Sequence, residues 1–145
     1  MQRSHRPNVL MNLLRRTWLA TTLFVIVSSA IWWPWLGWEI ARDHLVAALL
    51  LTPLIWWAAI GRKTPPHLLR GAVAGALTGL VTQMAPHLRY FLPLVGFSRP
   101  GDGEAQMVAL ASVAIYLMIA TGAVMMGAVV GLATAAIERR THLWT

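Results

Sequence analysis

The chain has 145 residues, 57% of them apolar and only 12% charged. A soluble domain carries about 25% charged residues, so this composition excludes an ordinary soluble globule. The formal charge is +7, and the absence of cysteine removes disulfides, thiolate metal sites and a cysteine nucleophile.

Residues 1–16 form a basic segment with Arg3, Arg6, Arg15 and Arg16. Val9, Leu10, Leu13 and Leu14 within it suit a short helix on the inner membrane surface. Four apolar stretches follow, at 17–38, 45–60, 68–85 and 105–137, and the one Lys, Arg, Asp or Glu inside them is Arg70, at the start of the third. A bilayer core about 30 Å thick takes about 20 helical residues. The first stretch fits that length. Its start also resembles a signal peptide, with Arg15-Arg16, an apolar run and Ser28-Ser29-Ala30. The run continues through Ile31-Trp32-Trp33, which favours an uncleaved anchor. Pro34 is expected to end or kink the first helix, and Pro53 to kink the second.

The second stretch is short and extends by borrowing residues 41–44. Pro65-Pro66 marks a turn before the third stretch. Residues 87–103 hold two prolines and three glycines, and we expect an outer loop lying partly in the interface. Asp102 or Gly103 would cap the fourth helix, and Glu104 suits the positive end of its dipole. The fourth stretch is about 50 Å long at 1.5 Å per residue, more than a span needs. It should tilt or project beyond the bilayer.

Nine of the twelve Lys and Arg residues fall on one side of a four-span arrangement. They are Arg3, Arg6, Arg15, Arg16, Arg62, Lys63, Arg70, Arg139 and Arg140; Arg42, Arg89 and Arg99 fall on the other. The positive-inside rule places both termini in the cytoplasm, as in a bacterial-type inner membrane. Basic clusters at such loops meet anionic lipid headgroups, and no nucleic-acid partner is expected. The sequence thus predicts an all-α, multi-pass membrane protein. Residues 1–16 are its cytoplasmic N-terminal segment and 17–145 a single four-helix transmembrane domain.

Tryptophans concentrate early and glycines late: seven of eight Trp precede residue 58, and nine of eleven Gly follow residue 70. Trp32, Trp33, Trp35, Trp38, Trp56 and Trp57 read as interfacial anchors or as contacts to lipid or a partner. Gly71, Gly75 and Gly79 share one face of the third helix at GxxxGxxxG spacing, and Gly127 and Gly131 form GxxxG on the fourth. Small residues let membrane helices approach closely. The faces serve either packing within the chain, the favoured reading, or docking of another subunit.

Ionisable residues inside spans are the usual mark of ion and proton pathways. None falls at mid-span here. Glu39, Asp43, His44 and His87 read as outer-edge residues and His67 as inner-edge. Gln83, a primary amide in an apolar helix, needs a partner from a neighbouring helix. His44 and His87 are the candidate ligands for a haem or chlorophyll-type pigment, although no cofactor is expected. No metal site, catalytic dyad, phosphate loop or nucleophile elbow is present. The expectation is therefore a non-enzymatic small subunit. Its partners would be lipid and other integral membrane subunits, or copies of itself. The alternative is a self-assembling small transporter, channel or holin-like pore.

Overall fold

The computed structural model describes residues 9–60, 67–96 and 103–141, all of them helical apart from His67. The segment Val9–Ile60 contains one residue with non-helical dihedrals, Gly37, at φ 76° and ψ 173°. That combination is open essentially to glycine alone. It divides the segment into α1 (residues 9–36) and α2 (Gly37–Ile60). Two further helices follow, α3 (Leu68–Gly96) and α4 (Gly103–Thr141).

The first two helices double back at Gly37. Ala20 and Phe24 of α1 share one buried cluster with Trp56 and Ile60 of α2, joined by Ala74 of α3 and Val130 of α4. On an unbroken helix Ala20 and Trp56 would stand about 54 Å apart. Their meeting requires an antiparallel hairpin with Gly37 at its tip. Ser28 then lies level with Gln83, and His44 with His87, so α3 runs parallel to α1.

Three helices are long and apolar enough to cross a bilayer: Gly37–Ile60, Leu68–Arg89 and Gly103–Arg140. Within α1 the apolar part, Thr17–Ile31, is shorter. The protein is thus all-helical and of membrane type.

Three expectations about the backbone need correction. Pro34 does not end its helix: it and Pro53 keep helical dihedrals, and the chain breaks at Gly37. Pro34 lacks the N–H that would bond the Ala30 carbonyl, but its fixed φ of about −65° is compatible with helix. Residues 9–16 run on into α1 without a break and make no separate surface helix. Residues 87–96, expected as loop, extend α3 to Gly96, because its apolar run carries the helix past Pro86 and Pro93. The remaining connection, 97–102, lies outside the described residues, as does Asp102 as a possible cap. Glu104 does occupy the first turn of α4, and Arg139 and Arg140 its last. Both placements complement the helix dipole. At the start of α3, the His67 carbonyl accepts the Gly71 N–H at 2.9 Å.

α3 is the central helix. It packs closely on α4 and on the first hairpin, whereas α4 meets that hairpin only sparsely. The α3–α4 seam is made by the glycines. A Cβ at Gly75 would run into the Gly127 carbonyl oxygen and lie 2.6 Å from Gly131 Cα. A Cβ at Gly71 would stand 2.5 Å from the Ala135 Cβ, and one at Gly79 would strike the Ala123 carbonyl. Backbone therefore lies on backbone over three turns, which gains dispersion contacts that lipid cannot supply. Val73, Leu77 and Val81, on the far side of α3, are exposed.

Candidate functional site

The buried polar side chains recur at a spacing of about one helical turn. α2 turns His44, Ala48, Thr52, Trp56 and Ile60 inward, four residues apart. Facing them, α3 turns in Ala74, Thr78, Thr82, Gln83 and His87. α1 adds Thr17, Ala20, Phe24 and Ser28. Residues four apart stack on one helix face, so three such faces enclose a common interior.

A histidine pair lies toward the Gly37 end. His44 is fully buried, and its Nδ1 stands 2.8 Å from the Ile40 carbonyl oxygen. Its Nε2 stands 3.2 Å from the Nε2 of His87, with ring centroids 4.7 Å apart and planes at 65°. A carbonyl only accepts, so Nδ1 of His44 carries a proton. In the neutral pair His44 then offers Nε2 as a lone pair, and His87 donates its Nε2–H to it. The Gln83 backbone carbonyl also faces His44. Tyr116 of α4 closes the cluster, meeting the His87 ring edge-on at 5.8 Å.

The sequence reading set His44 and His87 near one end of the bundle but did not pair them. Both are buried inside the bundle, because α3 extends past Pro86 and brings His87 beside α2. Their Nε2 atoms are turned on each other, which leaves no gap for a haem or chlorophyll-type macrocycle between them. Their pairing was missed, yet a signal existed. His44 is in register with Ala48 and Thr52, and His87 with Gln83, each on a face otherwise made of small or apolar residues.

One turn further in, the Gln83 amide donates to the Ser28 hydroxyl at 2.8 Å, joining α3 to α1. This is the cross-helix partner that Gln83 was expected to need. Beside it opens an apolar cavity of about 230 Å³ lined by Ile31, Gln83, Ile119, Gly122, Ala123 and Met126. Most of the threonines are satisfied locally. Thr78 donates to the Ala74 carbonyl at 2.7 Å, Thr82 to Thr78 at 2.7 Å and Thr134 to Val130 at 2.8 Å. Bonds of this kind hold a hydroxyl against its own helix.

Glu138, only 2% exposed, is buried at the opposite end of the bundle. The spacing of charges does not single it out, since it sits beside Arg139 and Arg140 at a helix end. Its face is set by Thr134 and Ala135, buried one turn earlier, and Gly131, buried two turns earlier.

The tryptophans divide. Trp38 is exposed and Trp57 half-buried. Trp56, expected at the interface, is 1% exposed and belongs to the core. It follows Thr52 by one turn and meets the same interior, which its neighbour Trp57 does not share. The side chains of Trp32, Trp33 and Trp35 lie outside those described. The glycine faces are brought together with each other, as the fold requires. Among the described residues no group of three His, Cys, Asp or Glu side chains gathers in one place.

No known protein family, no curated protein and no solved structure matches this chain.

Proposed function

We propose that this chain is a non-catalytic, four-span subunit that packs into and stabilises a larger assembly of membrane proteins. Both termini lie in the cytoplasm of a bacterial-type inner membrane, a reading supported by the nine-to-three division of Lys and Arg. The observation that carries the subunit reading is the outer half of α4. It is apolar and makes little contact with the rest of the chain, with Leu110 70% and Met118 75% exposed.

Lipid alone covers this surface poorly. The charge-free run at 105–137, about 50 Å long, still rises about 38 Å at a 40° tilt, near the steep end for membrane helices. A hydrocarbon core of about 30 Å leaves roughly two turns of the tilted apolar helix outside it. A neighbouring subunit against residues 106–118 would cover the excess. The glycine faces are not available for this role, since they are spent on each other.

Two experiments test the reading. Reporter fusions at Thr145 and near Gly101 should report opposite sides of the membrane; the same side for both removes the four-span topology. A photo-crosslinker at Leu110 or Met118 should capture other, distinct membrane chains in the native membrane. Capture of this chain alone would shift the reading to a self-assembling transporter, channel or holin-like pore. Crosslinks to lipid only would end both.

A further inference from the structure

We propose that the groove between the start of α3 and the end of α4 binds one anionic phospholipid, its phosphate held between Arg70 and Arg139. The groove has a volume of about 650 Å³ and is lined by His67, Leu68, Leu69, Arg70, Val73 and Arg139. The first ground is charge. Two guanidiniums reach the groove from two helices, and among the described residues no carboxylate lines it. Glu138, beside Arg139 in the chain, is turned into the bundle and buried. Neither guanidinium makes a hydrogen bond or ion pair among the described residues. Arginine stays charged at physiological pH, and its planar fork matches phosphate oxygens.

The second ground is what runs below the charges. Leu69, Val73, Leu77 and Val81 follow one another at four-residue spacing on α3, and all are exposed. From Leu69 to Val81 this strip is about 18 Å long at 1.5 Å per residue. That is close to the depth of one leaflet, half of a core about 30 Å thick. A free phosphate would use the cations alone. A phospholipid uses both parts, with its phosphate at the guanidiniums and an acyl chain along the strip. The stretch of α3 long and apolar enough to span a bilayer, Leu68–Arg89, begins at this groove. Arg70 is thus at headgroup depth, with its stem free to lie on the apolar wall.

The headgroup class follows from the same lining. A zwitterionic lipid would bring an ammonium among two guanidiniums and lose by like-charge repulsion. Phosphatidylglycerol brings no cation. Basic pockets between membrane helices recognise anionic headgroups in this way. A phosphate shared by Arg70 and Arg139 also closes the α3–α4 seam just beyond the close approach of Gly71 and Ala135. The lipid is then a bridge between two helices, distinct from the lipid that merely surrounds the bundle. The site requires these helix ends at a membrane surface. It depends neither on which side is cytoplasmic nor on a partner at the outer half of α4.

The test uses the full chain, purified in a neutral detergent, and native mass spectrometry with phosphatidylglycerol and phosphatidylethanolamine of matched acyl chains. We expect one phosphatidylglycerol to be retained in preference to phosphatidylethanolamine. Arg70→Gln and Arg139→Gln should each weaken its binding about fivefold, from about 1 kcal/mol per cation beside an anionic lipid. Arg140→Gln is the charge-matched control, because Arg140 is exposed at the same helix end but does not line the groove. It should leave binding nearly unchanged. Equal weakening in all three variants means attraction by net charge alone and overturns the proposal. Equal retention of the two lipids overturns it too. Displacement of the lipid by excess inorganic phosphate would make the groove a site for a soluble anion, again against the proposal. Position is read on wild-type protein, so it decides even where a variant misfolds. Phosphatidylglycerol with a photoreactive group on its acyl chain must label α3 between residues 69 and 81. Labelling confined to other helices overturns the assignment.

Discussion

A single methyl group at Gly75 should pry α3 from α4. The Cβ of Gly75→Ala would run into the Gly127 carbonyl oxygen and stand 2.6 Å from Gly131 Cα and 2.8 Å from Gly131 N. Carbon atoms meet comfortably at about 3.5–4.0 Å, so the helices must part by roughly 1 Å. The opposing atoms are backbone and cannot swing aside as a side chain would. A gap of that size forfeits a quarter to a half of each dispersion contact along the seam. With the cost of overpacking, about 1–3 kcal/mol, we expect a loss near the upper end of that range. Gly122→Ala is the matched control, because nothing lies within 4 Å of its added Cβ. It should be neutral, or gain up to about 1 kcal/mol from helix propensity. The assay is reversible unfolding of the purified protein in mixed micelles of increasing denaturing detergent, followed by circular dichroism. Equal stability for Gly75→Ala and Gly122→Ala would refute backbone-on-backbone packing as the tie between these helices. Gly75→Leu should be worse than alanine, whereas Leu77→Ala, on the exposed face, should be mild.

Other substitutions probe the remaining joints of the bundle. Gly37→Ala meets a backbone at φ 76°, open essentially to glycine, and should cost about 1–3 kcal/mol in the same unfolding assay; stability equal to wild type would mean that the reversal does not rest on Gly37. Ser28→Ala and Gln83→Leu should show a coupling of about 0.6–1.7 kcal/mol in a double-mutant cycle, and additive effects would mean that their hydrogen bond does not form in the membrane. Trp56→Ala should cost about 3–5 kcal/mol, while Trp38→Ala at the exposed end should change stability little in the same unfolding assay.

The helices were legible because membrane spans are written in the crudest feature of a sequence, the spacing of its charges. The face of α3 was legible too, since glycines at every fourth position can share only one side of a helix. Gly37 was not. Both prolines looked like stronger breaks, but a proline near a helix end can keep helical dihedrals, whereas a direct reversal needs a backbone that only glycine adopts. The histidine pair was hidden by the same kind of error. The prolines and glycines after residue 85 read as loop, so nothing in the sequence set His87 against His44. Extending α3 by two to three turns moves it into the bundle beside His44. Trp56 and Trp57 differ by one position and were read alike, yet 100° of helix rotation puts one in the core and leaves the other half-buried.

The way this chain spends its small residues bears on where a partner can sit. A glycine face left open would invite another helix by close backbone approach. Here α3 and α4 consume theirs on each other over three turns, at Gly71, Gly75 and Gly79. That seam fixes the inner half of α4 and leaves its outer half standing away from the first hairpin, rimmed by long, flexible Leu and Met side chains. Methionine and leucine pack adaptably against varied surfaces, unlike glycine, which demands one geometry. Inner and outer halves of one helix therefore have different work: the inner half holds the chain together, and the outer half meets whatever lies beside it. On this division, Gly127→Leu should lower the stability of the isolated chain. Met118→Ala should leave the chain intact and weaken only its retention in a native complex, measured as yield after detergent extraction. Stability lost in Met118→Ala, or retention lost equally with the fold in both variants, would mean that α4 has no such division.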